Sequence, residues 1–272
     1  MDKISLAGDL GSGKSTVAKI LIEALGAEYY STGNIVREIA ERMGMQIGEL
    51  NVYMETHPEI DKEVDDGLVA LASDPRALII DSRMAWHFTE GTFKVYLSTD
   101  VEVAATRIFT ARRICEHDDT LEGTIASTKA RRGSEKKRYS EKYGVDITDL
   151  TNYTLVVDTT YATPDEVAGV ILSCFEKWKA DKSLRFCYLS PERLNYIDDE
   201  HDGDLLADIS ARLELASDVP EITVFEEAGE FYVEGGKECA LAYAFNLFTY
   251  LPATLVKGTV GERKYVKMKN SL

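Results

Sequence analysis

The chain has 272 residues and a formal charge of −16, which argues against a protein that binds nucleic acid polymers, since phosphate backbones demand a basic surface. Its hydrophobic content of 44% and charged content of 29% are typical of globular proteins that fold in water. No stretch approaches the roughly 20 apolar residues of a membrane span, so we expect no membrane partner.

Short apolar strands alternate with amphipathic helices as far as about residue 180, which is typical of a parallel α/β sheet. The predicted strands are 4–7, 28–30, 77–81, 94–97 and 154–158. The predicted helices are 14–25, 33–43, 46–55, 59–72, 101–113, 121–142 and 164–179. We therefore predict a first domain, residues 1–181, in which helices flank a five-stranded parallel sheet.

The first strand leads into Gly8–Thr16, which reads Gly-Asp-Leu-Gly-Ser-Gly-Lys-Ser-Thr. A strand, a glycine-rich turn and a helix in that order are the context of a phosphate-binding loop, whereas an ordinary glycine turn needs no such complete pattern. The glycines let successive N–H groups point at one anion, next to the positive end of a helix dipole. We assign a nucleoside triphosphate to this loop, through Gly8, Gly11, Ser12, Gly13, Lys14, Ser15 and Thr16. Lys14 would reach the β- and γ-phosphates, and the Ser15 hydroxyl would hold Mg²⁺.

A second anion pocket is predicted beyond the second and third strands. Ser31, Thr32 and Gly33 begin a helix and offer free donors, and Arg37 follows one turn later. Arg83 follows the third strand and would reach the same pocket. In α/β sheets, ligands bind at the carboxyl ends of strands, where both arginines lie.

The third predicted strand is an apolar run that ends in the carboxylate residue Asp81. In a parallel sheet this places the carboxylate near the metal of the phosphate site, usually through a water. The alternative is an aspartate that only caps the next helix. Beside a complete phosphate-binding loop, we favour the metal role.

The helix over 121–142 carries Arg131, Glu135 and Arg138 on one face, inside a basic cluster that begins at Arg107. The two arginines could bind phosphate groups, and the carboxylate of Glu135 could accept a hydrogen bond from a sugar hydroxyl or a base amine. By spacing alone, an exposed helix with surface ion pairs of about 0–1 kcal/mol each is the better interpretation. The polar segment before it, from Arg112 to Thr120, is typical of a mobile cover that keeps water from a γ-phosphate.

The pattern pauses near residues 181–183 and then changes to a small mixed α+β unit, residues 185–272. Its predicted strands are 185–189, 222–225, 230–234 and 252–256, and its predicted helices are 204–216 and 237–248. Acidic residues crowd 198–208, which is typical of a solvated surface. The small size of this unit favours docking on the first domain.

Histidines and cysteines form no pattern that indicates covalent catalysis. The four histidines lie far apart, and the four cysteines lack the spacing of a metal site or a disulfide framework. This favours direct phosphoryl transfer and reduced thiols in a cytoplasmic protein. The strand pattern also begins too early for a cleavable leader.

The first two thirds of the chain resemble the nucleoside monophosphate kinases, specifically the short, archaeal-like cytidylate kinases. The resemblance rests on these runs, in order along the chain: 8–16, 31–38, 57–63, 80–86, 132–139, 143–147 and 155–160. It implies a P-loop kinase fold, ATP and Mg²⁺, and CMP or dCMP as acceptor. It also implies that Lys14 neutralises the transferred phosphoryl group.

The same resemblance assigns the remaining site residues. It implies that Gly33, Arg37 and Arg83 bind the acceptor phosphate, that Arg131 and Arg138 close over both phosphate chains, and that Glu135 lies near the acceptor sugar. The chain departs from the family at Asp9 and Leu10, and Asp81-Ser82-Arg83 replaces a more usual Glu-Gly-Arg. An aspartate at position 9 should weaken triphosphate binding unless it points to solvent.

The C-terminal unit more faintly resembles the ParB/sulfiredoxin-like fold, at Leu189–Leu194, 231–237 and 240–248. The family's polar stretch is replaced here by Glu-Gly-Gly-Lys-Glu at 234–238. We therefore expect at most a scaffold with a regulatory or partner-binding role. The leading hypothesis for the whole chain is a kinase of CMP or dCMP. The alternatives are a kinase of another small phosphorylated metabolite and a non-catalytic nucleotide sensor that signals through the C-terminal unit.

Overall fold

The computed structural model describes residues 2–45, 50, 53–54, 56–111 and 120–270. Most of the predicted helix over 46–55, and residues 112–119 of the predicted mobile cover, lie outside the described residues. Within the part that is described, no helix is both long and apolar enough to cross a bilayer.

The described part of residues 3–180, about the first two thirds of the chain, alternates strands and helices as predicted. Its strands are β1 (Lys3–Gly8), β2 (Glu28–Ser31), β3 (Leu78–Asp81), β4 (Phe93–Ser98) and β5 (Leu155–Asp158). Its helices are α1 (Lys14–Leu25), α2 (Thr32–Met43), α3 (Pro58–Ala70), α4 (Ala85–Phe88), α5 (Val101–Thr110), α6 (Leu121–Tyr143) and α7 (Pro164–Ala180). The short α4 has no counterpart in the sequence analysis, because four residues are too few to show a helical period.

The five strands form a parallel sheet in the order β5-β4-β1-β3-β2, which confirms the predicted fold class. β1 lies between β3 and β4, with Leu6 in register with Asp81 and Gly8 in register with Leu97. The chain order changes direction on either side of β1, which opens a crevice at the carboxyl ends of the strands. The glycine-rich loop leaves β1 at this crevice.

The C-terminal segment extends this sheet by two strands. β6 (Phe186–Leu189) pairs parallel to β5, and β10 (Leu251–Pro252) pairs antiparallel to β6, so the sheet has seven strands. The predicted division between residues 181 and 185 stays a prediction, as does the ParB/sulfiredoxin-like resemblance. The predicted strand over 252–256 is split, because β11 (Thr254–Leu255) pairs in a different sheet.

A second sheet has five strands in the order β11-β8-β9-β7-β12. Its remaining strands are β7 (Leu194–Ile197), β8 (Thr223–Glu227), β9 (Glu230–Gly235) and β12 (Tyr265–Lys267), and two helices accompany it, α8 (Gly203–Glu214) and α9 (Lys237–Phe245). The predicted β8–β9 hairpin around Ala228-Gly229 is confirmed. Both β7 and β12 are missing from the sequence analysis, because strands this short show little alternation.

One apolar cluster joins residues 3–180 to the C-terminal segment. Ala7, Trp86, Tyr96 and Tyr153 pack in the same buried cluster as C-terminal residues of both sheets, which include Leu189, Leu194, Val224, Phe231 and Leu251. A buried ion pair, Arg193 Nη1 to Asp158 Oδ1 at 3.1 Å, ties β5 to the start of β7. The second sheet is therefore fixed against the edge of the first.

Candidate active site

The loop between β1 and α1 has the backbone of a phosphate cradle. Gly8 and Gly11 have φ values of 145° and 72°. A Cβ on Gly8 would lie 2.4 Å from the Leu97 carbonyl oxygen, and a Cβ on Gly11 would lie 2.6 Å from that of Ala104. Glycine is therefore required at both positions. Gly13 caps α1 without a side chain, which leaves the first N–H groups of the helix to an anion.

Lys14 lies folded over this loop. Its Nζ donates to the carbonyl oxygens of Gly8 (3.0 Å) and Asp9 (2.7 Å) and to Ser12 Oγ (3.3 Å). Desolvation and the neighbouring Arg83 lower the pKa of Lys14 to about 8. A desolvated lysine whose hydrogen-bond acceptors are neutral carbonyl and hydroxyl oxygens would gain a stronger, charge-assisted bond from a phosphate oxygen.

Asp81 lies at the end of β3, on the same edge as Lys14. Its Oδ2 accepts a hydrogen bond from Tyr29 Oη (2.8 Å), and burial together with Asp81 raises the pKa of Tyr29 to about 12. The Asp81 charge also acts on Lys14, which places the carboxylate beside the loop. With the exposed hydroxyl of Ser15, it offers the oxygen ligands that Mg²⁺ prefers, so the residues present fit that ion.

Arg83 connects the loop to α6. Its Nη1 donates to the Gly8 carbonyl oxygen (3.1 Å), and its Nε lies 2.6 Å from Glu135 Oε2. Glu135 Oε1 also pairs with Arg131 Nε at 3.2 Å. The predicted face of α6 thus reaches the loop through Glu135. The interpretation of α6 as an exposed helix with surface ion pairs is incomplete at Glu135, because this residue also pairs with Arg83, which lies outside the helix.

Arg138 and Arg37, a predicted acceptor residue, each hydrogen-bond to a residue close in sequence. Arg138 Nη2 contacts Tyr139 Oη at 3.2 Å. Thr32 and Gly33 form the first turn of α2, and the exposed Arg37 pairs with Asn34 Oδ1. Arg37 lies near enough to Tyr29 for its charge to act on that phenol, the same phenol that contacts Asp81. Tyr29 therefore lies between Arg37, a predicted acceptor residue, and Asp81, a predicted metal residue.

Asp9, which we expected to weaken triphosphate binding unless it points to solvent, has several polar partners. Asp9 Oδ1 accepts from Tyr96 Oη (2.8 Å) and pairs with Arg132 Nη1 (2.9 Å), while Oδ2 accepts from the Thr99 amide (2.9 Å). The side chain is 9% exposed, so it does not point to solvent. Its charge is balanced by Arg132 instead.

Arg132 and Arg107 also contact the phosphate-binding loop, although the sequence indicated no individual role for either residue. Arg132 pairs with Asp9, and its Nη2 lies 4.0 Å from Glu226 Oε1 on β8. Arg107 Nη1 donates to the Gly11 carbonyl oxygen (3.4 Å), and its Nη2 donates to those of Thr159 and Thr160 (2.7 and 3.1 Å). Both act across long sequence separations, which local spacing cannot reveal.

The first part of the chain matches a known family. A model described as the cytidylate kinase-like family matches residues 3–161. The cytidylate kinase of Halobacterium salinarum is 36% identical over 182 residues, covering 66% of this chain and 92% of that protein. An S-adenosylmethionine-dependent nucleotide dehydratase of Lacinutrix mariniflava is 37% identical over 182 residues, but this chain spans only 37% of its length.

A solved structure shares the fold. An uncharacterized protein from Eubacterium ventriosum aligns with a TM-score of 0.51 at 14% identity, covering 65% of this chain and 99% of that one. At this identity the likeness concerns the arrangement of helices and strands alone.

Proposed function

Because the chain belongs to the cytidylate kinase-like family, we propose that it transfers the γ-phosphoryl group of ATP to CMP or dCMP. The observation that carries this proposal is the contact of Arg83 with Gly8. One guanidinium reaches both the loop that holds Lys14 and, through Glu135, the helix that carries Arg131 and Arg138. Donor and acceptor phosphates would therefore meet at a single edge of the sheet.

Lys14 would bind the transferred phosphoryl group. Its three acceptors are two carbonyl oxygens and a hydroxyl, all neutral, so a phosphate oxygen can replace them with a stronger charge-assisted bond. Phosphoryl transfer needs mainly positioning and neutralised charge, and Lys14 would supply both. Ser15 would hold Mg²⁺ directly and Asp81 through a water, and the ion would neutralise the phosphate chain.

The acceptor would bind between Arg37, Arg83 and the first turn of α2. Thr32 and Gly33 would donate to the acceptor phosphate, and Arg131 and Arg138 would close over both phosphate chains. Glu135 would accept from the acceptor sugar. Since Glu135 already pairs with Arg83 and Arg131, acceptor binding would reorganise these contacts and draw α6 towards the loop.

An acceptor panel tests this proposal. Release of ADP from ATP is measured with Mg²⁺ in the presence of CMP, dCMP, UMP, AMP or GMP, and without acceptor. We expect the largest stimulation with CMP or dCMP, and none without acceptor. A chain that no acceptor stimulates would contradict the kinase proposal, and a chain most active with another acceptor would contradict the CMP assignment.

A non-catalytic nucleotide sensor is the second candidate, favoured by the contact of Arg132 with both Asp9 and Glu226. It predicts tight nucleotide binding without turnover, and a partner protein that engages the C-terminal unit. Both candidates fit a cytoplasmic protein.

A further inference from the structure

A cavity of about 480 Å³ lies between the phosphate-binding loop and the β8–β9 hairpin. Gly8, Asp9 and Arg83 line one end, and the hairpin lines the other with Glu226 and Ala228–Glu230. Its volume is within the range of small-molecule sites and exceeds what a phosphate group alone fills. The cavity therefore extends from Arg83 and Glu135, two residues of the proposed acceptor site, to the C-terminal unit.

The cavity also has surface that suits a planar base. Tyr96, Val101, Ala104, Ile147 and Tyr153 line it, so it combines apolar and aromatic surface with the charged groups of the loop and the hairpin. Nucleotide sites combine such surface with a few polar groups that fix orientation. A nucleoside bound with its phosphate at Arg83 would place its base on this surface.

Among the described carboxylates that line this cavity, Glu226 has the longest distance to its cationic partner. Arg132 binds Asp9 at 2.9 Å, Arg83 binds Glu135 at 2.6 Å, and Lys267 binds Glu230 at 3.2 Å. Arg132 lies 4.0 Å from Glu226. Among the described residues, the contacts of Glu226 with Arg132 and the Gly229 amide both use Oε1, which leaves Oε2 to a ligand.

The hairpin that carries Glu226 is held rigidly at its turn. Ala228 and Gly229 both have positive φ values, 56° and 91°. Such values fit a two-residue hairpin turn, but alanine adopts them at a cost. Arg193, itself buried, donates to the Gly229 carbonyl oxygen at 2.8 Å and fixes the turn against β5 through Asp158. A rigid wall of this kind can discriminate between ligands.

Resting on the proposed kinase function, we propose that Glu226 reads the acceptor base and that the C-terminal hairpin completes the acceptor site. A carboxylate only accepts hydrogen bonds, so it favours an exocyclic amine, as in cytosine or adenine, over a carbonyl at the same position, as in uracil or guanine. The C-terminal unit would then determine specificity within the family's reaction.

The test is acceptor selectivity of the full-length chain and its Glu226→Gln variant. An amide both donates and accepts, so the side-chain N–H of the introduced glutamine can donate to the uracil carbonyl, and the ratio of kcat/KM for CMP to that for UMP should fall about tenfold or more. Glu227→Gln is the matched control, because Glu227 is the next residue on the strand and bonds to the Val260 amide instead. Its ratio should equal that of the unchanged chain.

Each other outcome overturns a separate statement. An unchanged ratio in Glu226→Gln would overturn the assignment of Glu226 while leaving the kinase proposal standing. A changed preference for ATP over GTP would also overturn it, because the base would belong to the donor. If no acceptor is phosphorylated, the kinase proposal fails. Calorimetric titration of both proteins with CMP and UMP then decides the role of Glu226, and an equal affinity ratio would overturn it.

Discussion

Arg132 of α6 and Asp9 of the phosphate-binding loop form an ion pair, with 2.9 Å between Nη1 and Oδ1. The same guanidinium extends towards Glu226 of the C-terminal hairpin. One side chain thus connects the loop, the long helix and the second sheet. The position of the loop therefore depends on residues from both halves of the chain.

The variant Arg132→Ala tests this dependence. Asp9 would keep Tyr96 and Thr99 but lose its countercharge, so we expect the free energy of unfolding to fall by about 1–3 kcal/mol and ATP to bind more weakly. Urea unfolding and ATP titration measure the two effects. The control is Lys137→Ala on the same helix, whose exposed pair with Glu141 should contribute less than about 1 kcal/mol. Equal effects of the two variants would contradict a special role for Arg132.

Lys14→Ala and Arg37→Ala should separate transfer from acceptor binding. The first should lower kcat at least a hundredfold, since one lost contact to a developing anion costs about 3 kcal/mol, while acceptor binding stays measurable. The second should mainly raise the KM for the acceptor. Lys19→Ala, exposed on α1, is the control for lost surface charge. Small and identical effects of the Lys14 and Arg37 variants would refute both roles.

ATP affinity should depend on pH through Lys14. The pKa of this lysine is lowered to about 8, so in the free protein it loses its charge well below the usual 10.5. As pH rises through about 8, binding must recover a proton at Lys14, and ATP affinity should fall. Calorimetry between about pH 6.5 and 10 measures this fall. Lys14→Arg keeps its charge over that range and should flatten it, and an affinity that is constant in the unchanged chain would contradict the prediction.

The loop was predictable because its chemistry is local. Residues 8–16 carry the whole pattern in sequence, between a strand and a helix that also follow from local pattern. The location of Asp81 and Arg83 beside the loop was predictable, because the carboxyl ends of the strands in a parallel sheet lie at the same edge. Glu135 was harder, since a spacing of four residues fits a surface ion pair equally well. Only its contact with Arg83, from another element, decides between the two interpretations.

The ties between the two halves were not predictable from sequence. Arg132 with Asp9 and Arg193 with Asp158 join residues far apart in the chain, and no local period marks such pairs. The pause at residues 181–183 is a turn between α7 and β6, and a break in pattern looks the same whether the next strand joins the old sheet or begins a new one.

Arg193→Met should destabilise the whole chain. Asp158 is fully buried, and without Arg193 its charge would lack a countercharge, which costs about 3–5 kcal/mol for buried pairs. The double variant Asp158→Asn/Arg193→Met removes both charges and should recover part of this loss. Urea unfolding measures all three proteins. A loss below about 1 kcal/mol in Arg193→Met would show that Asp158 finds another partner or takes up a proton.

A fragment that ends at residue 184 should not behave as an independent domain. It lacks β6 and β10, so the edge of β5 would be open to pairing with other chains. It also lacks the residues that cover Trp86, Tyr96 and Tyr153 in the shared cluster. We expect aggregation and binding of a hydrophobic dye, measured by size-exclusion chromatography and fluorescence. If the fragment is instead monomeric and binds ATP, the first domain folds alone, and loss of a signal on truncation could then be assigned to the C-terminal unit itself.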